Sequence, residues 1–562
     1  MAGALGLGAV ASGLLGPRRV LPLSSLLLIP AALLLILLLQ LGFGSLAFKQ
    51  LGLLYAVYLI WAGLLMVLGR YLAQTLGLAR LADVLAAAMA LGALTGAAIA
   101  FMQWLGLDDR VPWIFSKPGS SVWGNLGQSN HFAHYAWTGV ASAFYLRGRG
   151  HLSRIWLWIL LLPISFSASL GGSRSVFLYL LILLAVLAWM HRREPQGPAA
   201  MLTGDAALLL PVMAALNLFG SWASPQIPDF LDWVGSQWPM LDIDGSRRRS
   251  GATDLSATRL YGLVSGPSAR LAILHAAWSA FSQNIWLGNG AGSFPYASFQ
   301  AAASRADDNL LMASENSHNF IFNLLVEFGA PATLMVLGVL IAWASRLFRQ
   351  RWHIEQFWCA TILSIGAVHA LLEYPLWYSY FLGPTALLLG ASDRGRTFAL
   401  AGRRVTVYLG LAVVTGAFIL ANLRADYAVF EDVVYRSSAA HSDRERAWRI
   451  SMDSLLKLHH DSLLSPWALT LLNLLAEPST HLAQERAELC VRGTRFTPAR
   501  VMVTRCAIHL AIAGRDAEAR QMVVAALRAY PDEYDATAYE LGRTAKEFPV
   551  IEPLRVLAES FR

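Results

Sequence analysis

The side chain best suited to proton transfer near neutral pH lies in the segment Glu315–Gly329, ENSHNFIFNLLVEFG. His318 falls where this segment is predicted to begin a helix, and the positive end of a helix dipole disfavours a charged imidazole. The resulting neutral imidazole is what a general base requires. Asn319, Asn323 and Glu327 follow at intervals of four residues and predict a polar stripe that faces a cavity. A histidine with a purely structural role is the alternative.

Two arginines have the chemistry to bind phosphate oxygens. Arg174 lies in the short turn Gly171–Ser175, GGSRS, where glycines leave backbone N–H groups open and the guanidinium offers two parallel donors. Arg270 is predicted near the N-terminus of a helix through Leu271–Phe281, where a bound anion would relieve the conflict between the cation and the helix dipole. Arg259, from the same region, is a candidate of the same kind. The alternatives are a snorkelling arginine and an outward-pointing surface arginine.

A dense set of hydrogen-bonding side chains occurs in Gly124–Tyr135, GNLGQSNHFAHY. Gln128, Asn130, His131 and His134 lie within seven residues of one another. Capping of a helix N-terminus by Ser129 or Asn130 is the simplest interpretation, but capping needs only one such side chain. We therefore predict that this segment also contacts a substrate.

The segment Glu373–Tyr380, EYPLWYSY, adds a carboxylate and a phenol at the predicted outer end of a span. An aromatic belt at the membrane surface would account for Tyr374 but not for Glu373. Neither this segment nor the others has the paired carboxylates of a divalent-cation site, and the three cysteines have no Cys/His ligand spacing. We predict no metal and no cofactor.

The composition requires that these segments be held by membrane helices. Of 562 residues, 56% are hydrophobic and only 14% are charged, whereas soluble domains carry roughly 25% charged residues. The apolar residues come in blocks of about 20, which is the length that crosses a bilayer. A soluble enzyme, a disordered chain and a secreted disulfide scaffold are excluded. The net charge of +8 is attributed to cytoplasmic loop arginines and not to nucleic-acid binding.

Eleven spans are predicted, and arginines are concentrated in the loops on one side of them, which the positive-inside rule makes cytoplasmic. The first apolar block has no cleavage site after it and is predicted to remain as the first span. The segments 222–317 and 423–562 then lie outside the membrane, on the same side as all the polar segments described above. The predicted spans are 21–42, 51–69, 81–103, 131–146, 155–171, 174–190, 203–221, 318–344, 356–372, 375–391 and 404–422.

The tail that follows the last span is amphipathic and predicted to be helical throughout. Its stretch Ala511–Pro531 resembles the second half of a tetratricopeptide repeat, and a generic helical bundle is the alternative. In an oxidising compartment Cys490 and Cys506 could pair, or they could be two buried thiols. Breaks between helices are predicted at Pro478, Pro498, Pro531 and Pro549.

As a set, these motifs resemble the superfamily of O-antigen ligases, O-antigen polymerases and bacterial O-oligosaccharyltransferases that share the Wzy-C region. The resemblance covers roughly residues 120–391. It rests on the motifs GNLGQSNH, GGSRS, WLGNGAGSF, SHNFIFNLLVEFG and EYPLWYSY. The first and last motifs are most similar to protein-glycosylating enzymes of the PglL/PilO type. Where that type has proline in GQPN this chain has Ser129, which we expect to change turn rigidity and not chemistry.

The resemblance implies an all-α, polytopic fold similar to the GT-C class, with about eleven transmembrane helices. With the bounds predicted above from the spans and loop charges, residues 1–422 would form the transmembrane glycosyltransferase domain, including the periplasmic loop 222–317, and residues 423–562 a periplasmic helical domain, with a tetratricopeptide-like fold as one alternative. It further implies a bacterial inner-membrane location with the active site on the periplasmic face. The donor would be an oligosaccharide on undecaprenyl pyrophosphate, and the acceptor a hydroxyl of a periplasmic, pilin-like protein.

The resemblance also implies roles for individual residues. His318 matches the essential histidine, Arg174 and Arg270 match the arginines beside the pyrophosphate, and Gln128 and Tyr374 match positions tied to activity. The remaining polar residues of these segments are then candidates for substrate binding: Asn130, His131, Arg259, Asn319, Glu327 and Glu373.

Three other functions are compatible with the same motifs. Ligation of O-antigen to lipid A–core and polymerisation of O-antigen repeats use the same chemistry with a different acceptor. A transporter of lipid-linked sugar would be non-catalytic. Transporters, however, place polar groups near the membrane midplane and show repeated halves, whereas here the polar groups cluster at one face and no internal repeat is detected.

Overall fold

The computed structural model describes residues 20–115, 122–238, 269–304, 313–350, 352–395, 397–401, 403–438 and 444–561. Arg259 lies outside the described residues. The described part is almost entirely helical, which confirms the predicted all-α class. One element was not predicted: strand β1, Val20–Ser24, pairs antiparallel with β2, Thr397–Ala401, so that Val20 lies opposite Ala401.

Each of the eleven predicted spans overlaps a helix, but the predicted first span, 21–42, begins too early, because Val20–Ser24 is a strand and the α-helix begins only at Leu28. Eight helical segments among the described residues are long and apolar enough to cross a membrane, as a multi-pass membrane protein requires. The other three predicted spans coincide with α4, α5 and α13, which are shorter or less apolar. The helices are α1 Leu28–Phe43, α2 Lys49–Thr75, α3 Leu78–Leu105, α4 Ser129–Gly148, α5 Arg154–Leu170, α6 Ser175–Arg193, α7 Pro198–Ala223, α11 Phe320–Arg349, α12 Ile354–Leu372, α13 Ser379–Ser392 and α14 Arg403–Ser438.

The remaining helices belong to the two long segments predicted to lie outside the membrane. The first segment contains α8 Ile227–Gln237, α9 Ala269–Gln283 and α10 Phe294–Ala303. The tail contains α15 Arg444–Asp461, α16 Ser465–Leu475, α17 Ala483–Thr494, α18 Arg500–Ile512, α19 Asp516–Ala529, α20 Tyr534–Ala545 and α21 Glu552–Glu559.

The chain forms two compact units, each assembled from separate stretches of sequence. The first unit comprises Met1–Leu65, Pro267–Ala342 and Thr397–Arg562, and the second comprises Met66–Gly266 and Trp343–Arg396. The predicted boundary at residue 422 falls inside α14, which is one continuous helix. The domain boundary predicted from membrane topology therefore does not coincide with a boundary between the two compact units.

In the second unit, small residues let α3 and α4 approach closely. The buried face of α3 carries Ala86, Ala90, Ala93 and Ala97, which are between 0% and 3% exposed. A Cβ atom added at Gly139 of α4 would lie 2.2 Å from the Cβ atom of Ala93. Contacts between small residues are how membrane helices gain packing energy without a hydrophobic driving force. This packing fixes α4, whose first turn carries the Asn130–His131 pair.

In the first unit, the tail is a set of packed helical hairpins. Helices α18 and α19 are joined at Gly514, whose φ of 75° ends the first helix. The cysteines Cys490 and Cys506 are buried free thiols, and burial together with the contact between them raises the pKa of the Cys490 thiol. All four predicted proline breaks, at Pro478, Pro498, Pro531 and Pro549, lie between α-helices and are confirmed.

Two helices of the long outer segment, α9 and α10, pack onto this tail within the first unit. Ala276 of α9 and Phe299 of α10 share a hydrophobic cluster with Val503, Ala526 and Tyr530. The Phe299 and Tyr530 rings are stacked with centroids 6.4 Å apart. The predicted helix through Leu271–Phe281 is thus confirmed as part of α9, and its position is set by the tail.

Candidate functional site

The backbone of His318 is held in an unusual conformation just before α11. Its φ is +50°, in the left-handed region that costs a residue with a side chain about 1–2 kcal/mol. The backbone N–H of His318 donates to Asn316 Oδ1 at 3.0 Å, which is a local bond typical of such turns. Strained backbone of this kind persists only where neighbouring groups hold it, and it is concentrated at functional sites.

The residues on either side of His318 are fixed by further side-chain bonds. Asn319 Oδ1 accepts from the backbone N–H groups of Ile321 and Phe322, at 3.0 and 3.2 Å, so it caps the start of the helix. The Ser317 hydroxyl donates to the Asn319 carbonyl at 2.7 Å. The prediction that His318 lies at a helix start is confirmed. Asn319 has a clear structural role in addition to its candidate role in substrate binding.

The predicted polar stripe continues down α11 as a hydrogen-bonded chain. The Ser317 backbone N–H donates to Asn323 Oδ1 at 3.1 Å, and Asn323 Nδ2 donates to Glu327 Oε1 at 3.2 Å. The Tyr55 hydroxyl of α2 donates to Glu327 Oε2 at 3.0 Å. Glu327 is only 3% exposed, and its carboxylate accepts hydrogen bonds from residues of the first unit. These contacts link Glu327 to the start of the helix, and the predicted cavity stays a prediction.

Helix α11 is interrupted by a kink immediately after Glu327. Gly329 has φ 76° and ψ 177°, and Pro331 follows it, so the regular bond pattern cannot continue. The glycine-rich loop before α10 replaces the missing bonds: Asn289 N–H donates to the Val326 carbonyl at 2.7 Å, and Ala330 N–H donates to the Ile285 carbonyl at 2.8 Å. The kink thus makes residues 320–328 a short half-helix that begins at the His318 turn.

Close approach between the loop and the half-helix requires glycine on both sides. A Cβ atom at Gly288 would lie 2.5 Å from the Glu327 carbonyl carbon, and one at Gly329 would lie 2.5 Å from the Trp286 carbonyl oxygen. Both glycines also have positive φ. The motifs WLGNGAGSF and SHNFIFNLLVEFG are therefore packed directly against each other within the first unit.

Arg270 lies in α9, and its side chain is exposed. The residues immediately before Ala269 lie outside the described ranges, so its place near a helix start stays a prediction. Like His318, Asn319 and Glu327, it belongs to the first unit.

In the second unit, Asn130 connects two other motifs. Asn130 Nδ2 donates to Glu373 Oε1 at 2.9 Å, and Asn130 Oδ1 accepts from the Ser173 hydroxyl at 2.6 Å. These bonds join the start of α4 to the GGSRS turn and to the EYPLWYSY segment. Glu373 is 5% exposed and Ser173 is 2% exposed. The side chains of Asn130 and Glu373 therefore hold three segments together, which the sequence did not reveal.

The GGSRS turn presents Arg174 at the start of α6. Gly172 has φ +69°, which favours glycine, and a Cβ atom at Gly171 would lie 3.2 Å from the Val122 carbonyl oxygen, a tight contact. The Ser173 hydroxyl accepts from the Ser175 N–H at 3.3 Å. Arg174 is exposed and makes no ion pair within the described part of the chain. The predicted tight turn between two spans is confirmed.

His131 is buried and packs against the rings of Tyr374, Tyr378 and Tyr380. Its Nδ1 lies 3.1 Å from the Tyr380 hydroxyl, and its ring centroid lies 4.6 Å from that of Tyr378 and 6.5 Å from that of Tyr374. His131 is 1% exposed, and among the described residues its Nε2 has no hydrogen-bond partner. In this conformation the imidazole supports the tyrosines and does not itself reach solvent.

A second buried imidazole pair lies beside His131. His134 Nδ1 and His369 Nδ1 are 2.7 Å apart, and the His134 ring stacks on Phe381 with centroids 4.3 Å apart. His369 lies in an apolar predicted span, where a histidine is itself a signal of a specific role. Sequence reasoning missed His369 and its contact with the GNLGQSNH segment.

Gln128 occupies the N-cap position of α4, but its side chain makes no capping bond. The interpretation of Ser129 or Asn130 as the N-cap is wrong, because Ser129 is the first helical residue and Asn130 bonds to Ser173 and Glu373. Gln128 and Tyr374 are both half-buried. Their side chains are therefore accessible for contact with a substrate.

The structure thus brings the predicted residues together in two groups. Asn130, His131, Glu373 and Tyr374 form one group in the second unit, and His318, Asn319 and Glu327 form one in the first. No group of three or more potential metal ligands occurs within the described ranges. Sequence reasoning missed Gln40, Tyr55, Ser173, His369 and Tyr380, all of which contact the predicted residues or their backbone.

Comparison with known families gives three matches. Residues 122–146 match a family of protein glycosylation ligases, residues 158–337 match the O-antigen ligase family, and residues 357–542 match the C-terminal region of virulence factor membrane-bound polymerases. The first range includes Gln128, Asn130 and His131, and the second includes Arg174 and His318. The matched ranges therefore include segments of the candidate site.

One characterised relative is similar over most of the chain. The chain is 25% identical over 416 residues to a general O-oligosaccharyltransferase of Acinetobacter baylyi, in an alignment that covers 73% of this chain and 68% of the relative. No solved structure matches the chain. The comparisons confirm the resemblance predicted from the motifs.

Proposed function

We propose that this chain, a glycosyltransferase of the O-oligosaccharyltransferase type, transfers an oligosaccharide from undecaprenyl pyrophosphate to Ser and Thr hydroxyls of periplasmic proteins such as pilin. The match to protein glycosylation ligases and the similarity to a general O-oligosaccharyltransferase support this acceptor class. The enzyme lies in the bacterial inner membrane, and its active site is on the periplasmic face. The undecaprenyl chain stays in the bilayer during the reaction.

In the proposed reaction His318 is the general base. The acceptor hydroxyl oxygen forms a bond to the anomeric carbon of the glycan while the bond from that carbon to the pyrophosphate oxygen breaks. The proton of the hydroxyl passes to the imidazole, and the electron pair of the broken bond leaves with undecaprenyl pyrophosphate. Because attack and departure occur on opposite faces, the anomeric configuration is inverted.

Arg174 and Arg270 stabilise the charge that develops on the departing pyrophosphate. Each guanidinium offers two parallel donors that match two phosphate oxygens. Preorganised donors of this kind in dry sites are typically worth about 2.7–4 kcal/mol in the transition state. These cations can do the work that a divalent metal does in other transferases, so the proposed mechanism is independent of metal.

The remaining candidates position the reactants. Gln128 and Tyr374 contact the sugar or orient the base, and both side chains are accessible. Asn130 and Glu373 act by holding the Arg174 turn, and Asn319 acts by capping the helix that follows His318. Arg259 remains a prediction for binding the donor.

The observation that best supports this assignment is the backbone of His318. A left-handed histidine between an asparagine that bonds its N–H and an asparagine that caps the next helix supports a reactive role, because strained backbone of this kind is concentrated at functional sites.

The test is to express the His318→Ala variant with a candidate pilin and a lipid-linked glycan and to weigh the pilin by mass spectrometry. Loss of a general base lowers the rate about 10²–10⁴-fold, so we expect no detectable glycosylated pilin. His460→Ala, which removes an exposed histidine of the tail, is the matched control and should leave the yield unchanged. Appreciable glycosylation by His318→Ala would remove His318 as the base.

The same experiment separates the acceptor classes. Glycan attached to lipid A–core and not to pilin would identify an O-antigen ligase, and lengthened glycan on the carrier lipid would identify a polymerase. Movement of the lipid-linked sugar across the membrane without transfer would identify a transporter.

A further inference from the structure

We infer that Tyr55 and Gln40, on the first two membrane helices, are positioning residues for His318. This inference rests on the proposed function, because it assigns the two side chains to the geometry of the general base. Neither residue lies in a segment that the motifs single out. Both act through Glu327 and the half-helix that begins beside His318.

The first step is a continuous chain of hydrogen bonds from Tyr55 to the His318 turn. Tyr55 donates to one carboxylate oxygen of Glu327, and Asn323 donates to the other. Asn323 in turn accepts from the backbone N–H of Ser317, the residue bonded to His318. Every group in this chain is a side chain or peptide of the first unit. A displacement of the carboxylate would therefore change the turn that sets the direction of the imidazole.

The second step concerns the other end of the half-helix. Gln40 is fully buried, and its Nε2 donates to the carbonyls of Leu287 and Glu327, at 2.6 and 2.7 Å. Its Oε1 accepts from the Ala291 N–H at 3.2 Å. One side chain thus satisfies a carbonyl freed by the kink and clamps it to the glycine-rich loop. Both residues therefore hold the half-helix at Glu327, Gln40 through the backbone carbonyl and Tyr55 through the carboxylate.

The energetics explain why these positions are polar in otherwise apolar helices. A buried carboxylate without donors is far more costly than an apolar side chain, so Glu327 would not be retained for packing alone. Tyr55 and Asn323 each donate to one of its two carboxylate oxygens. A fully satisfied polar network is rigid and specifies one geometry. The element that this network holds in one geometry is the His318 turn.

The test compares Tyr55→Phe and Gln40→Met with the wild-type enzyme in nanodiscs, with purified lipid-linked donor and acceptor protein. Mutating outer-shell partners typically costs 10–100-fold in activity, so we expect kcat to fall about 10-fold or more in each variant. The KM for the donor should remain within about twofold, because a lost positioning contact acts on the transition state. Tyr71→Phe, on the same helix and outside the network, is the matched control and should keep wild-type kcat.

Glu327 provides the conservative rescue. Glu327→Gln keeps an oxygen that accepts from Asn323 and an amide that can pair with Tyr55, so it should retain most of the activity that Glu327→Leu loses. The Tyr55→Phe and Glu327→Leu losses should also be less than additive, because both act through one carboxylate.

A second measurement does not depend on activity. The rate at which diethyl pyrocarbonate modifies His318, followed by peptide mass spectrometry, should rise in Tyr55→Phe and stay at the wild-type value in Tyr71→Phe. Unchanged kcat together with unchanged modification would overturn the inference, as would a loss that appears only in KM or only in thermal stability. If His318→Ala is active while Tyr55→Phe still alters the modification rate, the proposed base fails and the structural link between Tyr55 and His318 stands.

Discussion

The His318 segment and the Asn130 cluster hold their functional groups in different ways. The His318 segment is local: its turn is fixed by Asn316, its helix start by Asn319, and its far end by the kink at Gly329. The Asn130 cluster joins three segments far apart in sequence through side-chain bonds to Ser173 and Glu373. The first arrangement constrains one backbone, and the second constrains the relative position of several.

The difference matches the roles that the proposed function assigns to the two groups. Proton abstraction depends on the direction of one imidazole, so the chain fixes the peptide that carries it. Binding of a charged headgroup depends on a long cationic side chain that can reach it. The side chain of Arg174 is exposed, and the turn that carries it is anchored through the bond between Ser173 and Asn130. The comparison predicts that backbone changes damage the His318 segment most, whereas changes in side-chain chemistry damage the Asn130 cluster most.

The largest effect outside His318 is expected at Arg174. Arg174→Lys keeps the charge but loses the two parallel donors, so transfer should fall about 100-fold if one preorganised contact of about 2.7 kcal/mol is lost. The measurement is the initial rate of acceptor glycosylation. Arg192→Lys, in the last turn of the same helix, should have the wild-type rate. A near-normal rate for Arg174→Lys would make this arginine a snorkelling residue.

A smaller effect, on stability, is expected at Gly329. Gly329→Ala places a Cβ atom against the Trp286 carbonyl at a positive φ, so it should destabilise the first unit by about 1–3 kcal/mol and lower the midpoint of thermal unfolding. Gly338, on the same helix, has no atom within 4 Å of an added Cβ atom, and Gly338→Ala should not lower the midpoint. Equal midpoints for the two variants would show that the kink does not constrain the His318 segment.

The smallest of these effects is expected at Asn130. Asn130→Leu removes a donor from Glu373 and an acceptor from Ser173, each worth about 0.5–1.5 kcal/mol, so transfer should fall about 10-fold as the Arg174 turn loosens. Asn422→Leu, at an exposed asparagine of α14, is the control for the change in polarity. If Asn130→Leu instead raised only the KM for the acceptor, Asn130 would be a contact residue for the acceptor and not an anchor of the turn.

Much of the helical layout could be predicted because bilayer thickness imposes one length on every span. The eleven spans, the helix that follows Arg270 and the proline breaks of the tail all follow from local patterns of apolarity and from proline chemistry. The helix start at His318 was also predicted, but the capping role of Asn319 was not. None of these predictions needed knowledge of which helices are neighbours.

The partners of the site residues could not be predicted, because they depend on tertiary packing. Nothing in the sequence connects Tyr55 with Glu327, or Ser173 with Asn130. Gln40 gave a usable signal, since it is the one strongly polar residue of the apolar helix α1, and His369 gave a similar one. The two compact units were not predicted either, because each combines stretches that are distant in the chain.

The pairing of β1 with β2 has a consequence for biosynthesis. Val20 leaves the ribosome long before Ala401, the residue it faces in the two-stranded sheet. Until translation reaches Thr397–Ala401, the N-terminal strand is an open edge, and α1 lacks α11, which emerges only later. Nascent chains halted before residue 397 should therefore display an unpaired strand next to the first membrane helix, and the first unit can close only near the end of synthesis.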